Sequence, residues 1–247
     1  MNRPVWRFLV LGLGLATGCT PVPRTGSPER MDADTPGQGE PLLANIVQLT
    51  NPSMGLERAG EAYFSPDAKQ IIFQAVPKGR LGYQIYVLPL WDRLKTGQTG
   101  LRPVPRMVST GRGECTCAFF RPDGRKVIFA SSHLDPGLET TQPPDDKPGD
   151  RTGQRRYVWN FNPHMDIFEA DPDGAHLRRL TDADGYDAEG AYGPDGRQIV
   201  FTSQRSGDLD IWLMNADGSE PRQITHAKGY DGGPFISPDG RRIIFRA

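Results

Sequence analysis

The chain has 247 residues, with 29 Lys and Arg against 30 Asp and Glu, for a net charge of −1. That balance gives no electrostatic footing for nucleic acid. Hydrophobic residues make up 36%, and 29 Gly with 23 Pro point to many turns, short strands and little room for long helices.

The first residues read as an export signal. Arg3 and Arg7 precede an apolar run over residues 8–16, which is too short to span a bilayer. Leu15-Ala-Thr-Gly-Cys19 resembles a bacterial lipobox, with Ala16 where Leu is usual three places before the Cys. The expectation is a signal peptide over 1–19 and lipidation at Cys19. An ordinary secretory signal is the alternative. Residues 20–44 are rich in Pro, Gly and charge and have no apolar period, so they read as a disordered linker.

From there the chain is organised by a repeated segment. Phe64-Ser-Pro-Asp-Ala-Lys-Gln-Ile-Ile-Phe73 recurs as Phe120-Arg-Pro-Asp-Gly-Arg-Lys-Val-Ile-Phe129, Tyr192-Gly-Pro-Asp-Gly-Arg-Gln-Ile-Val-Phe201 and Ile236-Ser-Pro-Asp-Gly-Arg-Arg-Ile-Ile-Phe245. Pro presets φ for a turn, Asp hydrogen-bonds its own backbone, Gly supplies φ > 0, and the β-branched run that follows is strand-forming. Pro194 and Pro238 lie 44 residues apart. Within that period Ile167 and Ile211 each precede an Asp-Gly by the same spacing, and Thr181 and Thr225 each follow it by the same spacing. Asp-Gly between two apolar runs is a hairpin signal. Four short antiparallel strands in about 44 residues make one blade of a β-propeller. The fold expected is all-β, a propeller of four-stranded blades over residues 45–247, with three to four blades present.

Phe-Ser-Pro-Asp-Gly-x-x-Ile-x-Phe, Asp-Ile-x-x-Met-Asn-Ala-Asp-Gly-Ser and the closing Leu-Thr together resemble the TolB-like (PD40-type) propeller repeat of exported bacterial proteins. The resemblance runs over residues 46–247 and implies a six-bladed ring in full-length relatives. Ile46-Val-Gln-Leu-Thr50 matches a fourth strand, and a last blade begins at Phe235 with two strands before Ala247. The chain therefore looks truncated. Blade two carries an insertion at about 133–160, with the aromatic cluster Tyr157-Val-Trp-Asn-Phe161. It reads either as a solvated loop capping the blade or as a recognition loop.

Residues just before each Pro-Asp lie on strand one, which lines the channel of a propeller. Gly185-Tyr186-Asp187-Ala-Glu189 recurs as Gly229-Tyr230-Asp231-Gly-Gly233, and Glu61 takes the place of Glu189. Glu61, Tyr186, Asp187, Glu189, Tyr230 and Asp231 are the candidate binding residues at a channel mouth. An acidic ring there suits a Ca²⁺ ion or a basic peptide segment, whereas each Asp taken singly suits a turn cap. Cys115 and Cys117, two apart on a strand, stand as either structural or redox-active. The four His residues share no metal-ligand spacing, and there is no Gly-x-Ser-x-Gly, His-Glu-x-x-His or phosphate loop. No catalytic residue is assigned. The function expected is a non-catalytic binding scaffold of the periplasm or cell envelope. Its partner would be a protein or an envelope component, with membrane contact only through the lipid anchor. The alternative is the propeller of a peptidase, or of a lyase or hydrolase, whose catalytic part lies elsewhere.

Overall fold

The computed structural model describes residues 48–90, 104–139 and 161–247. The signal peptide with Cys19, the linker over 20–44 and most of the insertion lie outside these residues. Gln48, Leu49 and Thr50, the described part of the expected fourth strand before blade one, form no strand. Leu49 instead packs, partly buried, on the core of the first sheet.

Blade one consists of β1 (Leu56–Phe64), β2 (Gln70–Pro77), β3 (Gln84–Pro89) and β4 (Arg106–Met107). Blade two consists of β5 (Cys115–Phe120), β6 (Val127–Ser131), β7 (Asp166–Ala170) and β8 (Arg178–Arg179), and blade three of β9 (Asp187–Tyr192), β10 (Gln198–Ser203), β11 (Asp210–Asn215) and β12 (Arg222–Gln223). Blade four is a two-stranded sheet of β13 (Gly232–Ile236) and β14 (Ile243–Arg246). Within each sheet sequential strands are neighbours, and every described pairing is antiparallel. Among the described residues the sheets form an open arc of blades.

The Pro-Asp turn works the same way in all four blades. The carboxylates of Asp67, Asp123, Asp195 and Asp239 each accept from the backbone N–H two residues on, at 3.0 to 3.1 Å. The residue after each Asp has φ > 0: Ala68 at 56°, Gly124 at 70°, Gly196 at 69° and Gly240 at 72°. This closes the hairpin and sends the next apolar run back as strand two. Ile72, Ile128, Ile199, Val200 and Phe201 on those strands are wholly buried.

The Asp-Ile and Leu-Thr motifs meet where one blade joins the next. The Thr181 and Thr225 hydroxyls accept from Ile167 N and Ile211 N at 2.9 Å, and Ser109 does the same for Ile85 N at 3.0 Å. Gln84, Asp166 and Asp210 begin the three third strands at these joints. The repeat thus spends its most regular polar residues on holding strand three to strand four.

The innermost strands converge. Tyr63 of β1, Phe119 of β5 and Phe235 of β13 form a three-ring cluster with centroids 5.3 to 5.8 Å apart. Ala191 of β9 occupies the equivalent position, three before the Pro, and is 2% exposed. This plug of rings forms a floor beneath the site described next.

Candidate binding site on the innermost strands

Each first strand carries a bulge at the residue five before its Pro. Register shifts fall between Gly60 and Ala62, between Thr116 and Phe119, opposite the Val200–Thr202 step, and between Gly232 and Phe235. The bulged residues Glu61, Cys117, Glu189 and Gly233 have φ of 46°, 54°, 56° and 61°. A non-glycine residue held left-handed costs on the order of 1–2 kcal/mol, and a bulge re-aims its side chain. Three blades accept that cost with a polar side chain, and the three side chains come together.

Glu189 is the best-held of them. Its carboxylate accepts from Thr202 Oγ1 at 2.8 Å, from the Tyr230 hydroxyl at 2.8 Å and from Gly233 N at 2.6 Å. Arg246 Nη2 lies 3.6 Å from it and also donates to the Tyr230 hydroxyl at 2.9 Å, with the guanidinium 5.4 Å from the ring centroid. Tyr230, Gly233 and Arg246 all belong to the last blade, so Glu189 ties blade three to blade four. The approach is close enough that a Cβ on Gly232 would fall 2.1 Å from the Tyr230 hydroxyl, which explains why the equivalent of Ala188 is a glycine.

Glu61 and Cys117 complete the group. Glu61 retains exposed surface, but the packed protein around it pushes its carboxyl above the usual range. The Cys117 thiol and Arg246 pull it back, and Glu189 pushes it further up. The Cys117 thiol, hydrogen-bonded to Glu61, is driven well above its ordinary pKa by burial and then by the Glu61 and Glu189 charges. Thr116 Oγ1 lies 3.2 Å from Cys117 Sγ and donates to Gln74 Oε1 of blade one at 2.7 Å. Burial and Glu61 likewise raise the Tyr63 phenol. The result is a polar rim of protonated thiol, phenols and carboxylates above an aromatic floor.

The other candidates lie elsewhere. Asp187 is 1% exposed and sits in the joint between blades two and three, paired with Arg205 Nη2 at 2.6 Å. Burial raises its pKa, and bonds from Ser203, Arg205 and Thr181 oppose that rise. Asp231, 4% exposed, takes the equivalent place in the next joint: its N–H donates to Leu209 O as that of Asp187 donates to Met165 O. Tyr186 is fully buried with Phe161 edge-on at 5.1 Å, a core residue rather than a rim residue. The acidic ring expected from the sequence is therefore divided. Glu61, Glu189 and Tyr230 gather at the rim, while Asp187, Asp231 and Tyr186 fasten or fill the spaces between blades. Cys117, Tyr63 and Arg246 join the rim; for Cys117 the signal was the register itself, since it lies as far before its Pro as Glu61 and Glu189 do.

Cys115 belongs to a joint, with its thiol 3.1 Å from Ser131 Oγ and pushed by burial to about 11. Both described cysteines are free. No group of three or more His, Cys, Asp or Glu among the described residues is arranged to hold a metal ion. The donors present fit Ca²⁺ poorly, because the Glu189 carboxylate is already surrounded by hydrogen-bond donors and an arginine.

No curated protein matches the sequence. Residues 157–247 match the TolB beta propeller domain family. Over that segment the repeat is similar to the TolB beta propeller domain. Among solved structures, TolB from Acinetobacter baumannii superposes with a TM-score of 0.53 at 20% identity, over 76% of this chain and 37% of its own. A putative TolB from Agrobacterium tumefaciens has 25% identity with a TM-score of 0.37, covering 76% and 69% of the two chains. The nidogen/laminin complex structure gives a TM-score of 0.51 at 14% identity, covering 76% and 56%. The chain thus spans 37% of the length of the Acinetobacter TolB. The Pro-Asp turns and Thr joints of the matched segment have counterparts outside it, in the turns at Asp67 and Asp123 and the Ser109 joint of blade one.

Proposed function

We propose that this chain is a non-catalytic, exported binding scaffold of the cell envelope, lipid-anchored at Cys19 and tethered by residues 20–44. It recognises a protein or envelope component at the rim formed by Glu61, Cys117, Glu189, Tyr63, Tyr230 and Arg246. The observation that carries this reading is the state of the rim's reactive groups. The Glu189 carboxylate is committed to internal donors, and the Cys117 thiol is held protonated beside two carboxylates, where it is a poor nucleophile. What faces outward is recognition chemistry: the exposed Arg246 guanidinium, the Glu61 carboxyl and phenol edges over an apolar floor. Calcium has no part in this reading.

A photo-crosslinking residue at position 61, with Ser219 on the outer turn as the control position, tests it in the exporting cell. The expected result is an adduct to one envelope component from position 61 only, lost on Arg246→Glu, in a chain that Cys19→Ser releases from the membrane fraction. Equal adducts from both positions, or turnover of a peptide or polysaccharide substrate by the purified chain, would overturn it.

A further inference from the structure

Four equivalent turns join strand one to strand two, and the residue just before each Pro differs: Ser65, Arg121, Gly193 and Ser237. Its backbone does the same work in every blade, the N–H donating to the carbonyl five residues on at 2.8 Å. Its side chain does not.

Arg121 lies across the joint between blades two and three. A Cβ on Gly196, in the turn of blade three, would be 3.3 Å from Arg121 Nε and 3.6 Å from its Cγ. The guanidinium is 5.9 Å from the centroid of the Tyr192 ring, and Nε is 3.6 Å from Asp123 Oδ2. The space between these two turns is thus filled by a basic side chain whose stem runs along the neighbouring blade.

Between blades three and four the same space stays open. Gly193 has no side chain to place there, and a Cβ on Gly240, the counterpart of Gly196, would meet Pro194 Cγ alone, at 3.8 Å. The result is a cleft of about 350 Å³, with Gly193, Pro194, Asp195, Gln198, Ile236 and Asp239 in its lining. Its cause is local: a glycine stands where the preceding blade has Arg121.

Two carboxylates of this cleft lack the cation that the other turns have. At all four turns the Asp spends Oδ1 on the backbone N–H two residues on. At two of them Oδ2 meets a basic side chain, Asp67 with Lys69 Nζ at 3.7 Å and Asp123 with Arg121 Nε at 3.6 Å. Asp195 and Asp239 have no such ion pair among the described residues, and both line the cleft. The Ser237 hydroxyl and the Arg241 N–H hold the Asp239 carboxyl below its usual range, so it is ionised at neutral pH.

We propose that this cleft is a docking site for an arginine side chain of a partner protein. The guanidinium takes the place that Arg121 fills one joint earlier, with Asp195 beside it as Asp123 is beside Arg121, and Asp239 on the opposite wall. Its stem lies on Ile236, which stands where Tyr192 stands. A planar guanidinium can serve two carboxylates at once, whereas a lysine ammonium is a compact, more strongly hydrated charge. The cleft lies at the far end of β9 and β13 from Glu189 and Gly233, so the proposal is independent of the rim reading.

The test titrates N-acetylarginine methylamide into the ¹⁵N-labelled full chain and follows the amide resonances. Two partly exposed ion pairs and one apolar stem support a Kd on the order of 1–10 mM. Saturable shifts are expected at residues 193–198 and 236–241, with weaker ones from the lysine analogue. Asp195→Asn keeps an oxygen for the Arg197 N–H and removes the charge, and it should weaken binding about fivefold. Gly193→Arg should abolish binding by filling the cleft from within. The backbone at Gly193 is not left-handed, and a Cβ there would come no nearer than 3.3 Å to the Ile236 end methyl, which can shift. No saturable response, equal shifts from the lysine analogue, or binding indifferent to both substitutions would overturn the proposal. So would tighter binding of free arginine than of the capped form, because the ligand would then be the amino acid rather than a protein side chain.

Discussion

Asp166 shows what it costs to place a carboxylate in a joint. It is 3% exposed, with one oxygen 2.7 Å from Arg179 Nη2 and the other, Oδ1, without a hydrogen-bond partner. Burial is the main cause of a pKa raised from 3.8 to about 6; Arg179 opposes the rise, and the Asp187 and Asp182 charges add to it. A carboxyl that holds its proton more tightly when folded stabilises the fold fully below its unfolded pKa. That contribution is lost as pH rises through its folded pKa. The window here is about pH 4 to 6, and the effect is on the order of 2–3 kcal/mol. Asp166→Asn keeps the shape and removes the titration. Thermal unfolding of both proteins from pH 4 to 7 should show the wild-type Tm declining relative to the variant across that window. Parallel profiles would mean that folding does not raise the Asp166 pKa.

At the scale of the turn and the bulge, the sequence told most where one residue type answers one backbone demand. Pro-Asp-Gly was legible because its chemistry is local: the carboxylate caps the N–H two residues on, and glycine takes the left-handed position. Blade one breaks the rule with Ala68 at φ 56°, where the other blades have glycine. Ala68→Gly should relieve that strain, offset in part by the greater freedom of the unfolded chain, for a net gain of up to about 1 kcal/mol. The measurement is the denaturant midpoint, and a lowered midpoint would mean the alanine is unstrained. The bulges were legible only as a register, because left-handed φ at Glu61, Cys117 and Glu189 is written in residues that do not favour it. Taking the residues before each Pro-Asp as channel-lining placed Asp187 and Glu189 in one ring. The bulge re-aims the strand between them, which is why Glu189 reaches the rim while Asp187 enters a joint with Arg205.

For the whole molecule, a 44-residue period sufficed to name the architecture, since every blade buries its strands against the next. What the period could not convey is which residues of different blades meet. Tyr63 touches Phe235, and Glu189 binds Tyr230 and Gly233, through the curvature of the arc. Such contacts also set how the molecule opens. Among the described residues strand β10 is paired on both edges and Ile199, Val200 and Phe201 are fully buried, whereas β14 is paired on one edge and leaves Ile244 72% and Phe245 39% exposed. A two-stranded sheet is marginal alone, so blade four owes its order to the Glu189 clamp and to the apolar contact with blade three. Native-state hydrogen exchange should therefore find β14 amides opening at least about a hundredfold more readily than those of β10, through a separate, smaller opening. Glu189→Ala, which strips the donors of Tyr230 and Gly233 of their acceptor, should widen the gap by accelerating β13 and β14 and leaving β6 and β10 unchanged. If all four strands exchanged together in both proteins, the half-blade would belong to the same cooperative unit as the complete blades, and Glu189 would not be what holds it.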